Sequence, residues 1–271
     1  MKRMCKVLGV QRSGYYAWKK RPMSYRDRAN LELMSKIREA FEISRHTYGS
    51  LRIQHYWRRQ GYAFSRYRIA RLMKKDQLVP LRVLKWHPQT TKQRPGARTA
   101  PNLLNQEFAA SRPNEKWVGD ITYIDTAEGW LYFASLLDLY SRRVVGWGMA
   151  DRMDTDLVKT AWKMAVMHRR PPAQLLHHSD QGSQYTSESY LQLLENALCK
   201  ISMSGTGNCY DNAVMESFHA TLKGECAYKQ FETKAKARTT IFEFIEVWYN
   251  RQRLHSSLGY LSPFEFESSG H

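Results

Sequence analysis

A chain of 271 residues can bury a full core in one or two domains. Its 42% hydrophobic and 25% charged residues are ordinary for a soluble globular protein, and no apolar run nears the roughly 20 residues that span a bilayer. The basic start, MKRMCKVLGVQRSGYYAWKK, is too short in apolar run for a secretory signal. Cys5, Cys199, Cys209 and Cys226 show neither a CxxC pair nor zinc spacing, so free thiols in a reducing cytoplasm are expected. The net charge of +17 is unevenly spread: residues 1–100 hold 25 Lys and Arg against 5 Asp and Glu, and residues 101–271 hold 17 against 20. Such asymmetry suggests a polyanion-binding arm joined to a domain with another task.

After a basic segment, 1–25, the region 26–80 carries helical periodicity. Leu33, Ile37 and Phe41 recur every four residues between Asn30 and Ser44, which predicts one amphipathic helix. Ser50 is placed to cap a second helix with Leu51, Ile53, Tyr56 and Trp57, ended by Gly61. Ser65 is placed to cap a third, with Ile69, Leu72 and Met73 inside and Arg66, Arg68, Arg71, Lys74 and Lys75 on its outer face. Two short helices, the second rich in arginine, suggest a helix-turn-helix; a plain three-helix bundle fits the same periodicity. The outer cations are candidate DNA contacts, mostly to phosphate. Residues 81–112 mix Pro, Gly, Thr and cations without period, as a basic linker does.

From Pro113 the texture changes to strands. Lys116–Ile124 and Trp130–Asp138 form a predicted hairpin about the turn Asp125–Gly129, followed by a strand at Arg142–Met149. A helix at Thr155–His168, a strand at Gln174–Ser179, a helix at Ser187–Asn196 and a strand from Ser202 come next. The Gly-rich loop Ser204–Tyr210 then leads into a helix from about Asn212. Three antiparallel strands followed by alternating helices and strands describe an α/β protein with a mixed sheet, the order of a ribonuclease-H-like fold over 113–226, with a C-terminal helix and tail over 227–271.

Three carboxylates stand out in that region. Asp120 sits inside a strand, where an unpartnered acid is disfavoured, and shares a face with Thr122 and Ile124. Asp180 ends another strand, at the edge where open sheets bind ligands, and Glu216 lies in the first turns of the helix after the loop. Carboxylates gathered from separate elements repel one another unless a cation lies between them, and oxygen ligands without His or Cys select Mg²⁺ or Mn²⁺. Two such ions can activate a water or a 3′-hydroxyl for phosphoryl transfer.

The acids are separated by 59 and 35 residues, within WVGDITYI, HHSDQGSQYTS and NAVMESFHATLK. This pattern closely resembles the DDE transposases of the insertion-sequence-three family, relatives of retroviral integrases. The tail YNRQRLHSSLGYLSPFEF and the start VLGVQRSGYYAW resemble the same family, so the likeness runs along nearly the whole chain. It implies that Asp120, Asp180 and Glu216 are catalytic, metal-binding acids, and that Lys223, seven positions beyond Glu216, is the family's basic residue. Seven residues at about 100° each return to nearly the same helix face, whereas Glu225 points to the other side. The resemblance further implies a bacterial, nucleoid-associated protein that oligomerises on double-stranded DNA. An upstream-frame product or frameshift fusion is an implied partner, since this chain has no heptad run of its own.

Other polar residues carry plainer expectations. Asp125 and Asp138 sit where acids serve turns, Asp211 is placed to cap the Glu216 helix, and Asn212 fits either that helix start or DNA. His177 and His178 lack further His or Cys at zinc spacing, and Trp248, Tyr249, Leu258 and Tyr260 fit a core. Two other functions remain open: a ribonuclease-H-like nuclease that cuts without joining, and a non-catalytic DNA-binding regulator, for which three acids would be superfluous.

Overall fold

The computed structural model describes residues 1–81, 98–205 and 209–270, and the chain divides into two compact units, Met1–Pro80 and Leu81–His271. The first unit is helical: α1 (Lys2–Val7), α2 (Arg12–Lys20), α3 (Tyr25–Ile43), α4 (Ser50–Arg58) and α5 (Arg66–Lys75). Helix α3 begins earlier than its apolar pattern, because Ser24 caps it by accepting from the Asp27 amide at 3.2 Å. Leu33, Ile37 and Phe41 of α3 are buried, as are Ile53 and Trp57 of α4 and Ile69, Leu72 and Met73 of α5. Trp57 donates its indole N–H to the Lys36 carbonyl at 3.0 Å, which ties α4 to α3. The two expected caps fare differently: Ser50 lies inside α4, with Gly49 at the N-cap, whereas Ser65 does occupy the N-cap of α5 but without a side-chain bond. Gly61 does turn the chain between α4 and α5, at a φ of +85° that favours glycine.

The second unit is built on a five-stranded sheet ordered β3-β2-β1-β4-β5. Its strands are β1 (Lys116–Ile124), β2 (Leu131–Asp138), β3 (Val144–Ala150), β4 (Leu176–Ser179) and β5 (Lys200–Met203). β1, β2 and β3 form an antiparallel meander, whereas β4 and β5 join β1 in parallel. β3 and β4 start two residues later than their sequence pattern, since Arg142 (φ +60°) and Gln174 (φ +70°) hold left-handed turn conformations. Helices α6 (Thr155–Arg169) and α7 (Glu188–Asn196) connect the strands, and α8 (Ala213–Glu225) follows β5.

Strand alternation divides the sheet into two faces. Trp117, Ala134, Leu136 and Val145 pack with Val158, Ala161, Trp162 and Ala165 of α6. Gly146 permits this close packing, for a Cβ there would strike the Ala161 carbonyl and come within 2.6 Å of the Ala165 methyl. On the opposite face α8 packs against β1 and β2, with Phe218 near Phe133. The C-terminal elements are α9 (Lys234–Glu243), a π-helical turn at Phe244–Tyr249, and α10 (Pro263–Ser268). They cover the free edge of β3, where the Asn250 side chain donates to the Val144 carbonyl and accepts from its amide, both at 3.0 Å. Trp248, Tyr249 and Leu258 are buried and Tyr260 is half-buried.

The stretch read as a linker differs from that reading in part. Residues 82–97 lie outside the described residues, but 98–112 pack on the second unit. Leu104 is buried, and Ser202 Oγ accepts from the Leu103 and Leu104 amides at 2.9 and 3.2 Å.

Candidate active site

β1 and β4 lie side by side in parallel with Val118 opposite His178, and that register, continued by two residues, sets Asp120 beside Asp180 just past the end of β4. Asp120, in the middle of β1, thus stands beside the carboxyl end of the neighbouring β4, where Asp180 follows, although 59 residues separate the two acids in sequence. The charges of both reach the buried Tyr185 phenol, raising its pKa beyond what burial alone does. Asp180 immediately follows β4, and its Oδ1 accepts from the Gly182 amide at 3.0 Å. A Cβ at Gly182 would stand 2.9 Å from that oxygen, so glycine here lets the carboxylate keep its place.

Glu216 lies in the first turn of α8. Its carboxyl is pushed up from the usual range, first by burial and then by the negative charge of Asp120, while His219 opposes the shift. Asp120 and Glu216 are therefore electrostatic neighbours contributed by a strand and the helix packed on it. Lys223 is half-buried about two helical turns further along, its ammonium 4.5 Å from the centre of the Tyr123 ring. Burial lowers its pKa and the charge of Asp120 works against that, which places it in the field of the acids rather than in open solvent. Glu225 faces elsewhere, forming a buried two-point ion pair with Arg253 at 2.6 and 2.9 Å.

Among the described residues no group of three His, Cys, Asp or Glu side chains is arranged to hold a metal ion. The donor chemistry of Asp120, Asp180 and Glu216 nonetheless fits a hard divalent cation: all three offer carboxylate oxygens, and the carboxyl of Glu216, raised first by burial and then by the charge of Asp120, is one whose ionised form a cation would favour.

The other polar expectations meet mixed outcomes. Asp211 does not cap α8; it is buried, and accepts from the Gly205 amide and Asn102 Nδ2 at 2.9 Å and from Gln106 Nε2 at 3.0 Å. It thereby staples the 98–112 segment to the loop before α8. Asn212 precedes α8 without a capping bond, and its Oδ1 is buried with no hydrogen-bond partner. Asp138 does serve a turn, accepting from the Asn114 and Tyr140 amides at 2.7 and 2.9 Å, and Asp125 accepts from Gln230 Nε2 at 3.0 Å. His177 and His178 are buried structural residues, bonded to Tyr190 Oη at 3.0 Å and Ser202 Oγ at 2.8 Å. Burial lowers their pKa values to about 3 and about 4, so both are neutral.

On α5, Arg66, Arg71 and Lys74 are exposed. Arg68 departs from the expected outer face: it is half-buried, and its Nε donates to Asn30 Oδ1 of α3 at 2.9 Å. His219, which no sequence pattern singles out, proves to lie between α8 and the sheet. Its one visible signal is a polar residue on the helix stripe that packs inward.

Comparison with known proteins agrees with this architecture. An integrase core domain matches residues 110–209, a second integrase core domain matches 198–263, and an HTH-like domain matches 28–85. The chain is 44% identical over 269 residues to the insertion element IS600 uncharacterized 31 kDa protein of Shigella sonnei, covering 99% of this chain and 98% of that one. It is 41% identical over 271 residues to the transposase InsF for insertion sequence IS3A of Escherichia coli (strain K12), covering 99% and 94%. Among solved structures, a chain from the cryo-electron microscopy structure of the simian T-cell lymphotropic virus intasome with PP2A regulatory subunit B56 gamma aligns with a TM-score of 0.50. At 15% identity, over 65% of this chain and 61% of that one, this is a likeness of fold alone. An integrase core preceded by an HTH-like domain defines an enzyme of the DDE transposase and integrase class. Within that class the chain belongs to the insertion-sequence-three (IS3) family of transposases.

Proposed function

We propose that this insertion-sequence transposase cleaves and joins DNA strands at its element's ends, with Asp120, Asp180 and Glu216 as the catalytic acids that hold one or two Mg²⁺ or Mn²⁺ ions. The observation that carries this reading is the level placement of Asp120 and Asp180 on adjacent parallel strands, with Glu216 close enough to feel the charge of Asp120. When bound, such ions neutralise charge on the phosphodiester and activate a water or 3′-hydroxyl. The chain's own residues then bind and orient the DNA. Lys223 is a point charge beside the acids, suited to a phosphate near the scissile bond. Arg66, Arg71 and Lys74 present exposed cations from α5 to the DNA backbone, with Arg68 contributing only what its bond to Asn30 leaves available.

The enzyme would work on bacterial DNA in the cytoplasm as an oligomer bridging two element ends, helped by an upstream-frame product or as its fusion. The segment 98–112 belongs to the catalytic body, so 113 is too late a boundary for an isolated core.

The test is a cleavage and strand-transfer assay on paired terminal-repeat DNA with Mg²⁺ or Mn²⁺. Asp120→Asn, Asp180→Asn and Glu216→Gln should each lower both steps by about 10³-fold or more, the equivalent of several kcal/mol. DNA retention in a gel-shift measurement should persist. Full activity in any one variant would remove that residue from the site, and cutting without joining by the wild type would favour a nuclease.

A further inference from the structure

His219 lies one helical turn beyond Glu216 on α8, and only 3% of it is exposed. Its Nδ1 is 3.4 Å from Asp120 Oδ2, and its Nε2 is 3.3 Å from Ser135 Oγ. Asp120 and Ser135 are themselves direct cross-strand partners on β1 and β2, so the ring closes a triangle between one helix and two strands. The other carboxylate oxygen of Asp120, Oδ1, accepts from the Ile121 amide at 2.8 Å. In the tautomer where Ser135 donates to Nε2, the ring carries its proton on Nδ1, directed at Asp120. At 3.4 Å that contact is at the long end of hydrogen-bonding range.

An Asp–His–Ser order resembles a nucleophilic triad, but the arrangement runs the other way. Ser135 is 1% exposed and no substrate reaches it, whereas the Asp120 side chain is 19% exposed. The open end of this relay is the carboxylate.

We infer that His219 is a positioning residue for Asp120, holding Oδ2 from the α8 side while the Ile121 amide holds Oδ1, so that the remaining lone pairs are presented in one orientation to a divalent cation. This rests on the proposed ligand role of Asp120. His219 acts through that carboxylate alone and touches no DNA. The aromatic surroundings of the ring, Phe133 at 6.5 Å and Phe218 at 5.5 Å between centres, keep it in place and would also accept a phenyl ring.

The experiment is Mn²⁺ binding to the full chain without DNA, followed by the electron paramagnetic resonance signal of free Mn²⁺, with thermal unfolding of the metal-free protein alongside. Outer partners of metal ligands are worth about 10–100-fold in affinity. His219→Phe should therefore weaken Mn²⁺ binding by about 10-fold or more. His219→Asn, whose amide can occupy the Nδ1 position, should retain most of the affinity. His219→Gln, whose amide extends to the Nε2 position, should behave like His219→Phe. In an Asp120→Asn background the His219→Phe loss should vanish, since there is no carboxylate left to orient.

Wild-type affinity in His219→Phe, or a loss that simply adds to that of Asp120→Asn, overturns the inference. If His219→Phe does not fold, the Asn and Gln variants decide: equal affinities overturn it. Should Asp120→Asn bind Mn²⁺ like wild type, the ligand assignment itself falls, and the positioning role with it. A loss in Asp120→Asn without one in His219→Phe removes the positioning role alone.

Discussion

Charge does different work in the two units of this transposase. In Met1–Pro80 the α5 cations Arg66, Arg71 and Lys74 stand at the surface, and a two-point ion pair there, Arg38 with Asp76 at 2.6 Å, has a 60% exposed arginine. In the second unit the comparable pair, Arg253 with Glu225, has side chains only 6% and 4% exposed. Surface charges act together through a field that salt screens, so their value lies in number. Buried charges act one by one, and each depends on its own partner. Composition therefore reveals the first kind of charge, while only strand register and helix phase reveal the second.

The comparison can be broken most directly at the ion pairs. Arg253→Met leaves Glu225 buried without its arginine, and should cost about 3–5 kcal/mol of stability in a denaturant titration. Arg38→Met should leave the unfolding midpoint unchanged within error. Equal effects would mean that burial does not separate the two units.

DNA binding sharpens the same contrast. Replacing Arg66, Arg71 and Lys74 together by Gln should reduce the slope of log affinity against log salt by up to about 0.9 for each phosphate no longer neutralised. Asp180→Asn should leave that slope unchanged, because a single acid at the sheet edge neutralises no phosphate. A triple variant with the wild-type slope would move the main DNA-binding surface off α5.

The smallest effect concerns Asp138, whose carboxyl burial raises from 3.8 to about 6 despite bonds from two amides and the nearby Arg169. The folded state therefore binds this proton more tightly than the unfolded chain, and its contribution to stability falls as pH rises from about 4 to about 6. Asp138→Asn should flatten that part of the stability profile measured by urea unfolding. Glu267 has the opposite sign, because bonds from Arg169, Ser141 and Arg143 outweigh its burial and lower its pKa. Its contribution is complete above the unfolded value of 4.5 and is lost as pH falls through the lower folded value. An unaltered profile in Asp138→Asn would show that the carboxyl titrates alike in both states.

What could be read from sequence follows the same division. β1 was legible to the residue, Lys116–Ile124, because aromatic and β-branched residues on both sides of Gly119 and Asp120 fill the span between turn signals. The core positions of α3 and α5 were legible because a 3.6-residue period leaves little choice of inward face, whereas α4 buries Ile53 and Trp57 but leaves Leu51 exposed and Tyr56 half-buried. Ser50 misled because capping depends on the backbone angle of one residue, and Gly49 holds the extended conformation instead. Asp211 misled because its partners, Asn102 and Gln106, lie over a hundred residues away in sequence. His219 went unselected because an inward histidine gains meaning only once Asp120 and Ser135 are known to be cross-strand neighbours.

The parallel pairing of β1 with β4 also bears on which length changes the chain can accept. Asp120 and Asp180 are level because of pairing between strands, whatever path the chain takes from one to the other. Lengthening the loops of that excursion costs only a slowly growing closure entropy and leaves both acids where they stand. Inserting or deleting a single residue between Trp117 and Asp120 turns the acid to the α6 side of the sheet and carries Ile121 or Gly119 into its place. Insertions and deletions in this gene should therefore survive in the connections and be purged from a few residues of strand.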